Sequence, residues 1–167
     1  MNLKKCMGIL AAALAIAEVV WLAKSVPGAR NPPINASRIL EARVDVPQNV
    51  EVILVRSCKD CHSNETRWPW FSRLPIASGQ VQDDVRRGRS HMNLSEWNRT
   101  ESLGQEGERA VLIGICEELR SGDMPLARYR RMHSKSGLTE PEVETVCAWT
   151  DRAGATLKQR MKASADR

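Results

Sequence analysis

Two thiols and an imidazole stand together in Cys58-Lys59-Asp60-Cys61-His62. Thiols three positions apart lie about one helical turn apart, so both reach the two vinyl groups on one edge of a porphyrin. The adjacent histidine then falls under the iron. C-x-x-C-H is the spacing of covalent haem attachment, with Cys58 and Cys61 as thioether positions and His62 as proximal ligand. The second ring nitrogen of His62 is expected to donate to a backbone carbonyl that fixes the tautomer.

A haem that carries electrons needs a second strong ligand, because open iron binds small molecules and reorganises when it changes oxidation state. Met92, Met124, Met132, His91 and His133 are the candidates. Met124 is best placed: it follows a helix end, and Pro125 removes a backbone donor and stiffens the turn. Without the motif upstream it would read as a filler. His91 is the chief rival, and a His/His iron would have a lower reduction potential than His/Met. His133 reads more simply as an exposed residue beside a propionate. Trp68, Trp70 and Phe71, a few residues past the attachment point, would wall the porphyrin and exclude water, whereas Trp97 and Trp149 read as ordinary core ties.

These residues need helices to position them. From Pro47, apolar residues recur at three-and-four spacing through Val50, Ile53, Leu54, Cys58 and Cys61, so the haem motif ends a helix. His62 to Pro75 reads as a loop with bulky side chains. A second helix starts near Ser78 and uses Val81 and Val85 before Gly88. A third runs from about Glu106 to Leu119 and stops at Gly122, in the position of a helix-ending glycine. Thr139 and Glu142 form a capping box for a final helix through Val146, Cys147, Trp149 and Ala153 towards Leu157. With no strand-period alternation and no repeat, residues 47–160 read as an all-α domain around one haem, followed by a frayed tail at 161–167.

At 167 residues the chain allows one compact domain and a short appendage. Five Trp against one Tyr and one Phe make Trp the main bulk filler, and a large flat cofactor would supply apolar volume that so lean a core lacks. Residues 1–24 open with Lys4 and Lys5 and run apolar from Cys6 to Ala23, which reads as an export signal. Ala15-Ile16-Ala17 fits a small-x-small cleavage site. The continued run through Leu22 favours instead a retained membrane anchor, despite Glu18. Residues 25–46, with Pro27, Gly28, Pro32 and Pro33, read as an extended linker. In an oxidising compartment Cys116 and Cys147 form either one disulfide between neighbouring helices or a pair of small buried hydrophobes.

The formal charge of +5 falls to +3 without residues 1–24, which carry three Lys and one Glu, and nothing demands nucleic acid. Basic residues are local: Arg86, Arg87 and Arg89, then Arg120, Arg128, Arg130, Arg131 and Lys135 around Met124. They form either a rim that steers an acidic redox partner or a solvated helix face.

Asn31-Pro32-Pro33, the run Cys58-x-x-Cys61-His62-Ser63-Asn64-Glu65-Thr66-x-Trp68-Pro69-Trp70-Phe71, and Gly88-Arg89-x-x-x-Asn93-x-Ser95-x-Trp97 together resemble the bacterial haem-binding domain family. Its members are small cytochrome-c-like proteins with one N-terminal export or anchor segment, and the resemblance spans roughly residues 31–155. It implies an exported mono-haem protein attached at Cys58 and Cys61, with His62 as proximal ligand and Met124-Pro125 at the distal position. Cys116 and Cys147 lie outside that pattern.

Three readings compete. The first is a non-catalytic electron carrier of the bacterial periplasm, anchored to the inner membrane, with haem c in a His62/Met124 site. The second is a haem enzyme or sensor, peroxidase-like or gas-binding, with an open sixth iron position. The third has no haem: zinc on Cys58, Cys61, Cys116 and Cys147, or a Cys58/Cys61 dithiol. Against it, four-Cys zinc sites come as two close pairs, and a redox dithiol wants a βαβ context.

Overall fold

The computed structural model describes residues 3–25, 29–73 and 75–165. Among them every regular element is helical and no strand forms, so the all-α expectation holds. The chain divides into two compact units, Met1–Arg30 with Trp68–Asp84, and Asn31–Arg67 with Val85–Arg167.

The first unit holds helix α1 (Leu3–Ser25) and a 3-10 turn at Trp70–Arg73. The described side chains of α1, including Met7, Leu10, Leu14, Ile16, Val19 and Trp21, are exposed. Among the described residues no helix is long and apolar enough to cross a membrane. The anchor expected over 1–24 therefore gains no support. Glu18 breaks the apolar run, and a carboxylate within a bilayer costs roughly 2.5–3.5 kcal/mol near its centre.

The second unit is built on α2 (Gln48–Ser57), α3 (Lys59–His62), the last turns of α4 (Pro75–His91), α5 (Asn98–Glu101), α6 (Gly104–Ser121), α7 (Ala127–Met132) and α8 (Glu140–Ala165). Helices α6 and α8 pack antiparallel. Arg120 meets Glu144 at 3.2 Å, Cys116 is joined to Cys147, and a Cβ on Gly154 would lie 3.2 Å from Arg109 Cγ. Their facing residues Leu112, Leu119, Val146, Trp149, Ala153 and Leu157 form the core with Val50, Ile53 and Leu54 of α2. Each buried Leu, Ile or Val among them contributes roughly 1.5–3 kcal/mol.

Both buried tryptophans satisfy their indole N–H. Trp97 Nε1 donates to Glu108 Oε1 at 2.6 Å, and Trp149 Nε1 to the Asp45 carbonyl at 2.9 Å. They tie elements together, as their sequence setting suggests.

Gly122 ends α6 with φ 78°, and its N–H bonds the Leu119 carbonyl. Glu142 Oε2 accepts from Thr139 N at 2.9 Å and from Thr139 Oγ1 at 3.1 Å, capping α8. Helix α4 starts at Pro75, ahead of the expected Ser78, and other boundaries also differ from the sequence expectation. The 25–46 stretch is more than a spacer, because a 3-10 turn at Leu40–Ala42 delivers Leu40, with Val44 behind it, into the core. Helix α8 continues to Ala165, into the segment expected as a tail. Residues 26–28, within the expected linker, lie outside the described residues.

Candidate functional site

The chemistry-bearing pentapeptide continues α2 through one further turn. Cys58 N–H closes on the Leu54 carbonyl at 2.9 Å, and the N–H groups of Cys61 and His62 both reach the Cys58 carbonyl, at 3.1 and 3.0 Å. The two cysteines thus sit one turn apart with His62 directly after them, and neither is in a disulfide. Cys58 also packs against the core of the unit. Burial pushes its thiol up to about 12, with Cys61 adding to the rise and Arg56 opposing it. A catalytic dithiol needs the opposite shift, so the dithiol reading is disfavoured.

His62 Nδ1 lies 3.2 Å from the carbonyl oxygen of Met92. The acceptor assigns the proton to Nδ1 and leaves the Nε2 lone pair for a metal. Burial holds this imidazole below its ordinary pKa, against the pull of the Met92 and Gly88 carbonyls, so it is neutral at pH 7. The backbone carbonyl expected behind His62 is present, and Met92 supplies it.

Gly88 explains how α4 reaches the motif. A Cβ there would lie 2.6 Å from the Cys61 carbonyl oxygen, so only glycine lets the two backbones approach this closely. The helix does not stop at this glycine but runs on to His91. Arg89, one residue later, is not part of an exposed basic rim. Its Nε donates to the Ser63 carbonyl at 2.8 Å, and its Nη2 to Asn31 Oδ1 and Thr66 Oγ1, both at 2.9 Å.

The residues after His62 are fastened by a buried polar network. The Asn64 N–H donates to Ser95 Oγ at 3.0 Å, and Asn93 Nδ2 donates to Asn64 Oδ1 at 3.0 Å. Thr66 Oγ1 donates to the Asp60 carbonyl at 2.8 Å, and Asn31 Nδ2 to the Thr66 carbonyl at 2.9 Å. These are the residues that carry the resemblance described above. Their shared task is to hold the turn that bears Cys58, Cys61 and His62.

Within the motif both intervening residues are engaged. Lys59 Nζ meets Glu51 at 2.7 Å, Glu41 at 3.4 Å and Glu65 at 3.5 Å. Asp60 is buried, and its carboxylate accepts from Arg67 N, Nε and Nη2 and from the Tyr129 hydroxyl at 2.6 Å. Burial pushes this carboxyl up, but those donors outweigh it and hold it below the ordinary range. Burial and the Asp60 carboxylate together drive the Tyr129 phenol well above its ordinary value, so it stays a donor. Sequence reasoning missed Asp60, Arg67 and Tyr129. The one available signal was that this chain, so rich in Trp, has a single Tyr.

Met124 follows the αL cap of α6, and its N–H donates to the Glu118 carbonyl at 3.1 Å. Its half-buried side chain packs against the same core as Cys58 and Met92. Of the rivals, His91 is exposed and adjoins Met92, while His133 stacks on Tyr129 with ring centroids 4.1 Å apart. Trp68 and Trp70 fall in the other compact unit. Trp70 is 78% exposed and meets Phe71 edge-on at 5.8 Å.

Among the described residues no group of three or more His, Cys, Asp or Glu is placed to hold a metal ion. Cys116 and Cys147 are consumed by their disulfide, which overturns the four-cysteine zinc reading. Two thiols a turn apart, a neutral imidazole with its tautomer set, and a thioether on the same core are a donor set that fits haem. A family model described as haem-binding domain matches residues 18–152. The chain belongs to that family and is a haem-binding protein of all-α fold. Neither a curated protein nor a solved structure matches it.

Proposed function

We propose that the chain is an exported mono-haem protein of c type that carries single electrons in the bacterial periplasm. The observation that carries this reading is the turn Cys58–His62, with His62 Nδ1 spent on the Met92 carbonyl. Cys58 and Cys61 would hold the haem through thioether bonds to its two vinyl groups. Bound haem supplies a one-electron iron couple. His62 would ligate the iron through Nε2, and Met124 would supply the second ligand. The Met92 carbonyl stands at Nδ1, on the side of the imidazole away from Nε2. The basic residues near Met124 are assigned to an acidic redox partner. The Cys116–Cys147 disulfide supports export, since such bonds persist in oxidising compartments.

Two measurements test this. A denaturing gel stained for haem peroxidase activity, on protein made with attachment machinery present, should show haem that survives denaturation; no stain overturns covalent attachment. The oxidised spectrum should show a methionine-to-iron charge-transfer band in the red that disappears in Met124→Ala, together with a lower reduction potential. A high-spin wild-type spectrum that shifts on adding cyanide would favour the enzyme or sensor reading instead.

A further inference from the structure

A short polar contact joins the segment that carries Met124 to the turn that carries Cys58, Cys61 and His62. Tyr129, in α7 five residues beyond Met124, donates its hydroxyl to Asp60 Oδ2 at 2.6 Å across 69 residues of sequence. Asp60 lies between the two cysteines, so its carboxylate is fixed to the turn that presents them. Arg67 clamps the same carboxylate with three donors, which keeps the acceptor from swinging away. At its other end the Tyr129 ring stacks on His133, with centroids 4.1 Å apart and planes 21° apart. His133 Nδ1 in turn contacts the Tyr129 carbonyl at 3.2 Å. The ring is thus held on its face and at its hydroxyl.

We propose that Tyr129 is a positioning residue for the distal iron ligand: its bond to Asp60 closes the 122–133 segment over the attachment turn and so holds Met124 on iron. The proposal rests on the reading of Met124 as ligand. The Met124 N–H holds the start of the segment to the Glu118 carbonyl of α6, and the Met124 side chain packs against the core. A bond to a charged acceptor is among the stronger neutral-donor interactions, and Phe at this position keeps the ring and its stacking while deleting the bond.

The test uses the full-length haem-loaded protein and imidazole, which competes with a methionine for ferric iron. The apparent imidazole affinity then reports how often the methionine leaves. Four proteins are titrated: wild type, Tyr129→Phe, Met124→Ala and the double variant. Tyr129→Phe should bind imidazole about ten-fold more tightly than wild type and lose the charge-transfer band at lower imidazole concentration. In the Met124→Ala background the same change should have no effect, because there is no methionine left to position. Asp60→Asn should weaken the contact from the other side and shift affinity in the same direction.

An effect of Tyr129→Phe that persists in the Met124→Ala background would overturn the proposal, since it would act on the haem pocket as a whole. So would an unchanged affinity. A wild type that binds imidazole as tightly as Met124→Ala would instead sink the ligand assignment itself.

Discussion

Gly88 shows how much one missing carbon decides at the residue scale. A Cβ at that position meets backbone, not the movable end of a side chain, so Gly88→Ala must push α4 off the Cys61 carbonyl. The expected cost is about 1–3 kcal/mol, read as a lower melting temperature together with a reduced fraction of protein carrying haem. An unchanged melting curve would mean that the two backbones separate without penalty. Sequence alone marks Gly88 as a helix stop, because glycine ends helices more often than it admits a neighbour. The proximal carbonyl was legible for a different reason. A metal-bound imidazole needs an acceptor on its second nitrogen wherever it occurs, and only the identity of Met92 had to wait for the fold. The Tyr129–Asp60 bond was not legible, since nothing local to either residue points across 69 positions.

Caps and periodicity are where elements reveal themselves. Gly122 and the Thr139–Glu142 pair depend on neighbours within one turn, and both sit where the sequence places them. Glu142 has a second task, which no local pattern announces: it pairs with Arg56 at 2.9 Å, tying the start of α8 to the end of α2, two residues before Cys58. The Arg56 bond, followed by Thr139, holds the Glu142 carboxyl down at about 2, against an ordinary value of 4.5. A carboxyl held low in the folded state contributes stability that is fully present above about pH 4.5 and is lost as pH falls towards about 2. The pair is solvent-accessible, so the contribution is under about 1 kcal/mol. Glu142→Gln should therefore lower stability slightly at pH 7, and its difference from wild type should vanish near pH 2. Urea unfolding at a series of pH values measures this, and a constant difference across the series would refute it.

For the second unit as a whole, the antiparallel pair α6 and α8 is the frame on which α2 and the Cys58–His62 turn are laid. Its disulfide closes a span of 31 residues. Constraining the unfolded chain over that length is worth about 3–4 kcal/mol. Cys116→Ala with Cys147→Ala should lower unfolding stability in urea by about that amount, and a loss below about 1 kcal/mol would show that packing alone holds the pair. The all-α class and the helix inventory were readable from periodicity. Periodicity did not say which helix faces meet, and the pairing of α6 with α8 was legible only through the disulfide alternative for Cys116 and Cys147. The recruitment of Leu40 to the core was not legible, from a stretch whose prolines advertise a spacer.

The dipeptide between the two cysteines has a direction. The Lys59 ammonium faces Glu41, Glu51 and Glu65, while the Asp60 carboxylate faces Arg67 and Tyr129. Written in reverse order, the same two residues would set a carboxylate among three glutamates and an ammonium against a guanidinium. In the shorthand of the motif these positions are blanks. In this chain they are an address, and it can be read in one order.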